Sequence, residues 1–232
     1  MSALDQKIAL VTGAKGGLGS FVTEAFLEAG AAVVGVSRSI QPSDFPHPRF
    51  TAMSAELSTG DAARRITDEV AAKFPRIDIL VHLVGAFEGG KPVHETDDAT
   101  FDRMLDMNLK SAFYVARAVL PHMRNQASGR ILAIGSRAAV EPSPSAGAYA
   151  ASKAALVSLI RTIAAENKDR SITANVILPG TMDTAANRKA MPQADFSKWV
   201  KPSQVANLLV TLASDAASQV SGVAIPIYGA EL

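Results

Sequence analysis

The chain of 232 residues contains no cysteine, which excludes disulfides, thiolate nucleophiles and cysteine-based zinc sites. Charged residues are scarce at 19% and nearly cancel, with 23 basic against 22 acidic side chains, so no excess of one sign favours nucleic acid or an anionic membrane. No apolar run approaches the roughly 18 residues of a membrane span, and the first residues do not resemble an export signal. We therefore expect a cytoplasmic protein that binds neither nucleic acid nor membrane.

Short, uninterrupted apolar runs are present instead, each followed by a longer helical pattern. Runs without polar alternation are typical of strands covered on both faces, so they predict an α/β fold with a parallel sheet between helices. The predicted strands are 8–11, 32–36, 50–53, 77–83, 131–134, 172–178 and 223–227. The predicted helices are 17–29, 59–74, 97–123, 146–167 and 202–214. Pro226 fits an edge strand better than a central one.

The connection between the second and third predicted strands is unusual. Its residues, 38–49, include Pro42, Pro46 and Pro48, and prolines oppose a helical crossover. We expect a proline-rich loop there, which leaves part of one sheet face less covered.

A glycine-rich turn directly follows the first predicted strand. Its spacing is G-x-x-x-G-x-G, with Gly13, Gly17 and Gly19, and a helical pattern begins within it. Glycines let the backbone approach a pyrophosphate closely, and free N–H groups at a helix start favour its negative charge. With a strand before it and a helix after it, the turn predicts a dinucleotide site more than tight packing alone.

The second predicted strand lacks, at its end, the acidic residue that usually holds the ribose hydroxyls of NAD. Arg38 stands there instead, flanked by Ser37 and Ser39, and Lys15 of the glycine-rich turn could join them. A guanidinium offers a fixed fork of donors to a 2′-phosphate. The sequence therefore predicts NADP(H), with NAD(H) left open.

Tyr149 is the one tyrosine of three that has a lysine four residues later, Lys153. On a helix the two share a face, and the lysine interrupts an apolar stripe that continues through Leu156, Ile160 and Ile163. Burying an ammonium is unfavourable without a partner, so a purely structural role is disfavoured. Because a cation stabilises phenolate, we expect Lys153 to lower the pKa of Tyr149 and make it a general acid or base.

Two other polar residues have a structural and a functional interpretation. Asn108 interrupts the apolar stripe of the helix predicted over 97–123, which by itself favours a satisfied core amide at a helix kink. Ser136 follows the strand 131–134, at the carboxyl end of the sheet where ligands of α/β proteins bind. By itself Ser136 would be a turn residue.

Taken together, these motifs resemble the short-chain dehydrogenase/reductase family. The resemblance rests on residues 12–19, Asn108, Ser136, the Tyr-Ala-Ala-Ser-Lys segment 149–153 and the Pro-Gly-Thr-Met-Asp-Thr segment 179–184, and it spans almost the whole chain. It implies one Rossmann-like, doubly wound domain over 1–232, with a parallel seven-stranded sheet in the order 3-2-1-4-5-6-7. It also implies hydride transfer between nicotinamide and a ketone or secondary alcohol.

The resemblance implies a role for each matching residue. Tyr149 would exchange a proton with the substrate oxygen, and Ser136 would orient that oxygen. Lys153 would lower the tyrosine pKa and hold the nicotinamide ribose, and Asn108 would anchor a water that relays protons. The other predicted cofactor contacts are Gly13, Lys15, Gly17, Leu18, Gly19, Ser37, Arg38, Ser39, Glu56, Leu57, Gly85, Pro179, Gly180, Met182 and Thr184.

One segment departs from the family pattern. Residues 82–85 read His-Leu-Val-Gly where the family usually has Asn-Asn-Ala-Gly, so Gly85 is kept but the amide that braces the sheet is missing. His82 either replaces that hydrogen bond through a ring nitrogen or is a core histidine. The four histidines show no metal-ligand spacing, and we expect no metal.

The leading hypothesis is an NADP(H)-dependent oxidoreductase acting on a small-molecule carbonyl or alcohol. The departure at His82 motivates an alternative, a catalytically idle NADP(H)-binding sensor or structural relative; a lyase or isomerase is a third possibility. Substrate walls are expected from 87–93, 137–148 and 182–200, where Arg137 and Arg188 could meet an anionic group. The resemblance also suggests a homotetramer or homodimer packed through the helices at 97–123 and 146–167.

Overall fold

The computed structural model describes residues 2–230. Seven parallel strands form one sheet in the order β3-β2-β1-β4-β5-β6-β7, which confirms the predicted topology. The strands are β1 (Ile8–Thr12), β2 (Ala32–Ser37), β3 (Phe50–Ser54), β4 (Ile79–His82), β5 (Gly129–Ile134), β6 (Ile172–Pro179) and β7 (Ala224–Ile227). Pro226 lies in β7, the edge strand, where its missing N–H is tolerated.

The uninterrupted apolar runs are explained by burial on both sheet faces. In β1, Leu10 packs into the core on one face, while Ala9 and Val11 pack into the core on the other. Successive side chains of a strand point to opposite faces, so a strand between two cores needs apolar residues at every position.

The helices divide between the two faces. One face is covered by α2 (Gly60–Lys73), α4 (Ser111–Asn125) and α5 (Gly147–Glu166), and the other by α1 (Gly19–Glu28) and α7 (Pro202–Ala213). The other α-helices are α3 (Asp98–Leu105), within the helix predicted over 97–123, and the short α6 (Ala185–Ala190). The sequence analysis did not predict α6. No helix within residues 2–230 combines the length and apolar character that crossing a bilayer requires.

The proline-rich connection is a loop with a single 3₁₀ turn at Pro42–Asp44, as the prolines predict. Part of this sheet face is less covered, as expected, because Phe50 and Ala52 of β3 are only partly buried on it. Ile40 and Phe45 are buried in the same core as α1 and α7, and the Phe45 ring lies 4.9 Å from that of Phe50. Two apolar side chains on irregular backbone thus cover part of the face that a crossover helix would otherwise cover.

The helix predicted over 97–123 is divided into two α-helices. Between α3 and α4 lies one π-helical turn, Asp106–Lys110, which contains Asn108. Such turns widen a helix locally and often occur at functional sites. Helical spacing of apolar residues resumes after Asn108 with Ala112, Val115 and Val119, which is why periodicity predicted a single helix.

Candidate active site

A groove of about 480 Å³ opens at the carboxyl ends of β1, β2 and β4. The strand order reverses between β1 and β4, and ligands of doubly wound folds bind at such a switch point. The groove is lined by Gly13, Lys15, Gly16, Val36, Ser37, Arg38, Ser39, Ala55, Glu56, Leu57, Ser58, Leu83, Val84, Gly85, Asp106, Met107 and Ser111.

The glycine-rich turn is packed so closely that a side chain is excluded at Gly13 and at Gly19. Gly13 has φ +73°, and a Cβ there would lie 3.1 Å from the backbone of Leu83 and Val84. A Cβ on Gly19 would lie 2.0 Å from the Gly13 carbonyl oxygen. Leu18 is buried as the N-cap of α1, so the turn leads directly into the start of that helix. Backbone N–H groups at this helix start can therefore face an anion.

The predicted phosphate-binding side chains meet at one part of the groove. The Lys15 N–H donates to Ser37 Oγ at 3.1 Å, and its Nζ donates to the Ser39 carbonyl at 3.2 Å. Arg38 lines the same groove and is exposed. The structure thus brings Lys15, Ser37, Arg38 and Ser39 together, as the sequence analysis predicted.

Asp44 of the proline-rich loop also reaches this cluster. Its Oδ1 lies 2.8 Å from Lys15 Nζ, and its Oδ2 accepts the Gln41 N–H at 2.8 Å. The hydrogen bond with Lys15 is the main reason that the pKa of Asp44 is lowered. Sequence reasoning missed this contact because Asp44 is 29 positions from Lys15 and lies in irregular backbone.

Glu56 and Leu57, two of the predicted cofactor contacts, follow β3 and line the groove wall. Leu57 is buried and presents an apolar surface, whereas Glu56 is exposed.

Ser136, Tyr149 and Lys153 converge beside this groove. Tyr149 and Lys153 lie one turn apart on α5, with Lys153 Nζ 5.9 Å from the centre of the Tyr149 ring. Ser136 follows β5 and its side chain hydrogen-bonds the Tyr149 phenol. Lys153 Nζ donates to the Ile134 carbonyl at 2.9 Å, which supplies the partner that a buried ammonium requires.

The pKa of Tyr149 differs from the sequence-based expectation. Burial raises the pKa of the phenol, and the hydrogen bond with Ser136 only partly opposes this rise. Burial also lowers the pKa of Lys153 to about 8. In the protein alone, desolvation outweighs the effect expected from the lysine, so the phenol is protonated at neutral pH.

Asn108 connects the loop after β4 to α5. Its Oδ1 accepts the Ala86 N–H at 2.9 Å, and its Nδ2 donates to the Ala86 carbonyl and to Ser152 Oγ, both at 3.0 Å. Ser152 Oγ in turn donates to the Tyr149 carbonyl at 2.7 Å. The buried amide therefore holds together two segments of the site, which fits a satisfied core amide; its role as a water anchor stays a prediction.

His82 forms hydrogen bonds through both ring nitrogens and so braces the sheet in place of the missing amide. Its Nδ1 lies 2.9 Å from Thr12 Oγ1 and its Nε2 lies 3.2 Å from Ser111 Oγ. Because the Ser111 hydroxyl donates to the Met107 carbonyl at 2.7 Å, it accepts from Nε2–H, and Thr12 then donates to Nδ1. The ring thus joins β1, β4 and the start of α4, and burial lowers its pKa to about 3.

The segment after β6 comes close to the glycine-rich turn. Thr184 Cγ2 would lie 3.4 Å from a Cβ on Gly17, and Thr184 Oγ1 caps α6 by accepting the Asn187 N–H. The Gly180 N–H donates to the Ile227 carbonyl, and Met182 forms an isolated parallel β-bridge with Val200. Pro179 ends β6 just before this segment, and Thr184 is the predicted cofactor contact that lies next to Gly17.

Comparison with known proteins identifies the family. The sequence pattern of the short chain dehydrogenase family matches residues 7–195. The chain belongs to this family. The chain is 32% identical to 2-dehydro-3-deoxy-D-gluconate 5-dehydrogenase of Pseudoalteromonas atlantica, over 98% of this chain and 96% of that protein. It is 29% identical to the 3-oxoacyl-[acyl-carrier-protein] reductase FabG of Thermotoga maritima, over 97% of this chain and 98% of that protein.

Solved structures show the same fold. The crystal structure of gox2181 is similar at a TM-score of 0.91 and 27% identity, over 97% of this chain and 95% of that one. ElxO with NADP bound is similar at a TM-score of 0.90 and 23% identity, over 99% of this chain and 98% of that one. The short-chain dehydrogenase described here is thus an oxidoreductase of CH–OH groups in a family that uses nicotinamide cofactors.

The groove of this short-chain dehydrogenase fits such a cofactor. Its glycine-rich turn leaves backbone accessible, its cationic cluster suits phosphate, and its apolar walls suit a base. A Cβ on Gly85 would lie 2.8 Å from Asn108 Oδ1 and 3.2 Å from Lys153 Nζ. Because Gly85 has no side chain, no Cβ crowds the space between the groove and Lys153 Nζ.

Two arginines of this short-chain dehydrogenase already have partners within the chain. Arg137 pairs with Glu141 at 2.7 Å and lies over the ring of Tyr228. Arg188 contacts both Asp183 carboxylate oxygens, at 2.5 and 2.9 Å. The suggestion that these arginines meet an anionic substrate group stays a prediction.

Proposed function

We propose that the protein is an NADP(H)-dependent oxidoreductase that interconverts a ketone and a secondary alcohol, with Tyr149 as general acid and base. The observation that carries the proposal is the convergence of Ser136, Tyr149 and Lys153 next to a groove that fits a dinucleotide. The experiment is the consumption of NADPH, followed by absorbance, with a panel of ketones.

Side chains of the protein transfer the proton and stabilise the charge that results. In reduction, the Tyr149 hydroxyl gives its proton to the carbonyl oxygen while Ser136 Oγ donates a hydrogen bond to that oxygen. Lys153, held by the Ile134 carbonyl, stabilises the phenolate that is left. NADPH, when bound, supplies the hydride that reaches the carbonyl carbon, so the products are the secondary alcohol and NADP⁺.

The protonation state of Tyr149 favours reduction at neutral pH. A phenol with a raised pKa carries the proton that reduction needs, whereas alcohol oxidation needs the phenolate. Lys153, with a pKa of about 8, is largely charged at pH 7 and is in place to stabilise the phenolate product of reduction.

The remaining predicted contacts complete the proposed cofactor site. Gly13, Gly17, Leu18 and Gly19 would face the pyrophosphate, and Lys153 would hold the nicotinamide ribose. Pro179, Gly180, Met182 and Thr184 would surround the nicotinamide. Glu56, Leu57 and Gly85 would border the adenosine.

Arg38→Ala is expected to lower kcat/KM for NADPH about 10- to 100-fold while changing that for NADH less than about threefold, because a guanidinium–phosphate contact is charge-assisted. Initial rates with both cofactors measure this. Arg65→Ala is the matched control, since Arg65 is an exposed arginine of α2 outside the groove. An equal loss with both cofactors would contradict the assignment of Arg38 to the 2′-phosphate.

Asp44→Asn is expected to tighten NADPH binding about 3- to 10-fold and to leave NADH binding unchanged. The Asp44 carboxylate neutralises Lys15 and repels a phosphate nearby, and its removal frees the lysine. Fluorescence titrations at low and high salt measure the effect, which salt should reduce. Asp61→Asn, an exposed acid of α2, is the control; weaker NADPH binding in Asp44→Asn would show that Asp44 positions Lys15 instead.

The idle-relative hypothesis loses its main support. It was motivated by the missing amide at position 82, and His82 makes two hydrogen bonds that link β1, β4 and α4. Tight NADPH binding without turnover on any ketone or alcohol would restore it. A homodimer or homotetramer through α3, α4 and α5 and a cytoplasmic location stay predictions.

A further inference from the structure

Exposed apolar side chains lie in the segments next to the start of α5, the helix that carries Tyr149. Phe87 is 69% exposed and Val93 77% exposed in the loop after β4, and Val140 is 52% exposed just before α5. Large apolar residues are usually buried, and a group of exposed ones often marks a binding surface. These three belong to the segments expected to form the substrate walls.

Phe87 directly contacts the proposed catalytic tyrosine. The two ring centres are 4.9 Å apart with planes at 77°, an edge-to-face arrangement. The ring is thus held against Tyr149 although most of it remains open. An apolar group bound on its open surface would lie beside the phenol.

The backbone around Phe87 is shaped to keep the ring in this position. A Cβ on Gly89 would lie 3.0 Å from Phe87 Cζ and 2.9 Å from the Ser145 carbonyl oxygen. The Gly90 N–H donates to that carbonyl at 2.8 Å. The absence of a side chain at Gly89 therefore lets the loop lie against the segment that leads into α5.

Two arginines of the expected substrate walls have carboxylate partners within the chain. Arg137 is paired with Glu141 and Arg188 with Asp183, so a substrate carboxylate would have to displace a carboxylate of the protein. Each pair balances the charge of its arginine and so weakens the attraction of that arginine for a substrate anion, which favours an uncharged substrate.

We propose that the substrate is an uncharged ketone with a flat apolar ring next to its carbonyl, and that this ring packs on the open surface of Phe87. The carbonyl oxygen then points to Tyr149 and Ser136. This inference rests on the proposed function, because it concerns the substrate of the same reaction. It assigns Phe87 as a residue that determines substrate specificity.

The test compares NADPH-dependent reduction of acetophenone, methyl 4-acetylbenzoate, 4-acetylbenzoate and butan-2-one. The two acetylbenzoates have the same ring and differ in charge, whereas butan-2-one lacks a ring. We expect kcat/KM for the neutral aryl ketones to exceed the other two about 10-fold or more, as loss of one well-packed contact usually produces.

Phe87→Ala should lower kcat/KM for acetophenone about 20-fold, mainly through KM, and that for butan-2-one less than threefold. Phe21→Ala is the matched control, because Phe21 is 42% exposed on α1 and is not a wall residue. Circular dichroism and NADPH affinity would show that both variants are folded.

Three outcomes overturn the inference. Reduction that favours 4-acetylbenzoate, or an equal loss for all ketones in Phe87→Ala, overturns it and leaves the proposed function intact. NADPH binding with no turnover on any of the four ketones overturns the inference and counts against the proposed function too.

Discussion

Tyr149→Phe is expected to lower kcat for ketone reduction by about 10²- to 10⁴-fold, the usual contribution of a positioned general acid. Phenylalanine keeps the ring that packs edge-on against Phe87 but removes the proton donor. Only the hydrogen bond from Ser136 would remain to polarise the carbonyl. The loss should appear in kcat, while the affinity for NADPH changes little.

Stopped-flow absorbance of NADPH under single-turnover conditions measures this step directly. Tyr114→Phe is the control, because Tyr114 lies on α4 beside Phe113 and away from Tyr149. A second readout is the pH profile of alcohol oxidation, which should rise with pH in the wild type as the phenol deprotonates. Turnover that persists in Tyr149→Phe would refute the assigned acid.

His82→Leu is expected to lower the free energy of unfolding at pH 7 by about 2–4 kcal/mol, because it leaves buried hydroxyls without their partner. Thr12 loses its acceptor and Ser111 loses its donor, and both are buried. His82→Asn restores an amide of the kind the family usually has and should recover part of the loss. Urea unfolding measures all three proteins.

The effect of His82→Leu should also depend on pH. The pKa of His82 is about 3 in the folded protein, whereas an unfolded histidine titrates near 6.5. Below about pH 6.5 the unfolded chain binds a proton that the folded chain does not, so the stability from neutral His82 is present above that pH and is lost as pH falls towards 3.

Between pH 6.5 and pH 4.5, the free energy of unfolding of the wild type should therefore fall by about 2.5 kcal/mol more than that of His82→Leu. The stability difference between the two proteins then shrinks at acid pH. A difference that stays constant from pH 7 to pH 4.5 would show that His82 is protonated within the fold or that its bonds are dispensable.

Much of the fold follows from patterns that are local in the chain. The strand 8–11 and its neighbours are predicted because a strand covered on both faces needs apolar residues at every position. The glycine-rich turn is predicted from the spacing of its glycines. The structure shows why glycine is needed there, since a Cβ on Gly19 would lie 2.0 Å from the Gly13 carbonyl oxygen. The strand order came from the family resemblance, since apolar runs do not show which strands are neighbours.

Other features depend on contacts between distant segments. The sequence left His82 open between a brace and a core residue, because Thr12 and Ser111, its two partners, are far away in the chain. The cover supplied by Ile40 and Phe45 was missed because irregular backbone has no period to read. Asn108 indicated a kink in the helix, but the division into two helices by a π turn was missed because apolar residues resume at helical spacing after it.

The sequence by itself determined the sheet and its two buried faces, the glycine-rich turn, and the spacing that puts Tyr149 and Lys153 on one helix face, because these depend on backbone conformation and short-range periodicity. Tertiary structure decided that Phe87 lies against Tyr149, that Asp44 pairs with Lys15, and that burial raises the tyrosine pKa. Each of these depends on which segments meet and how much water they exclude, and desolvation is set by the complete fold.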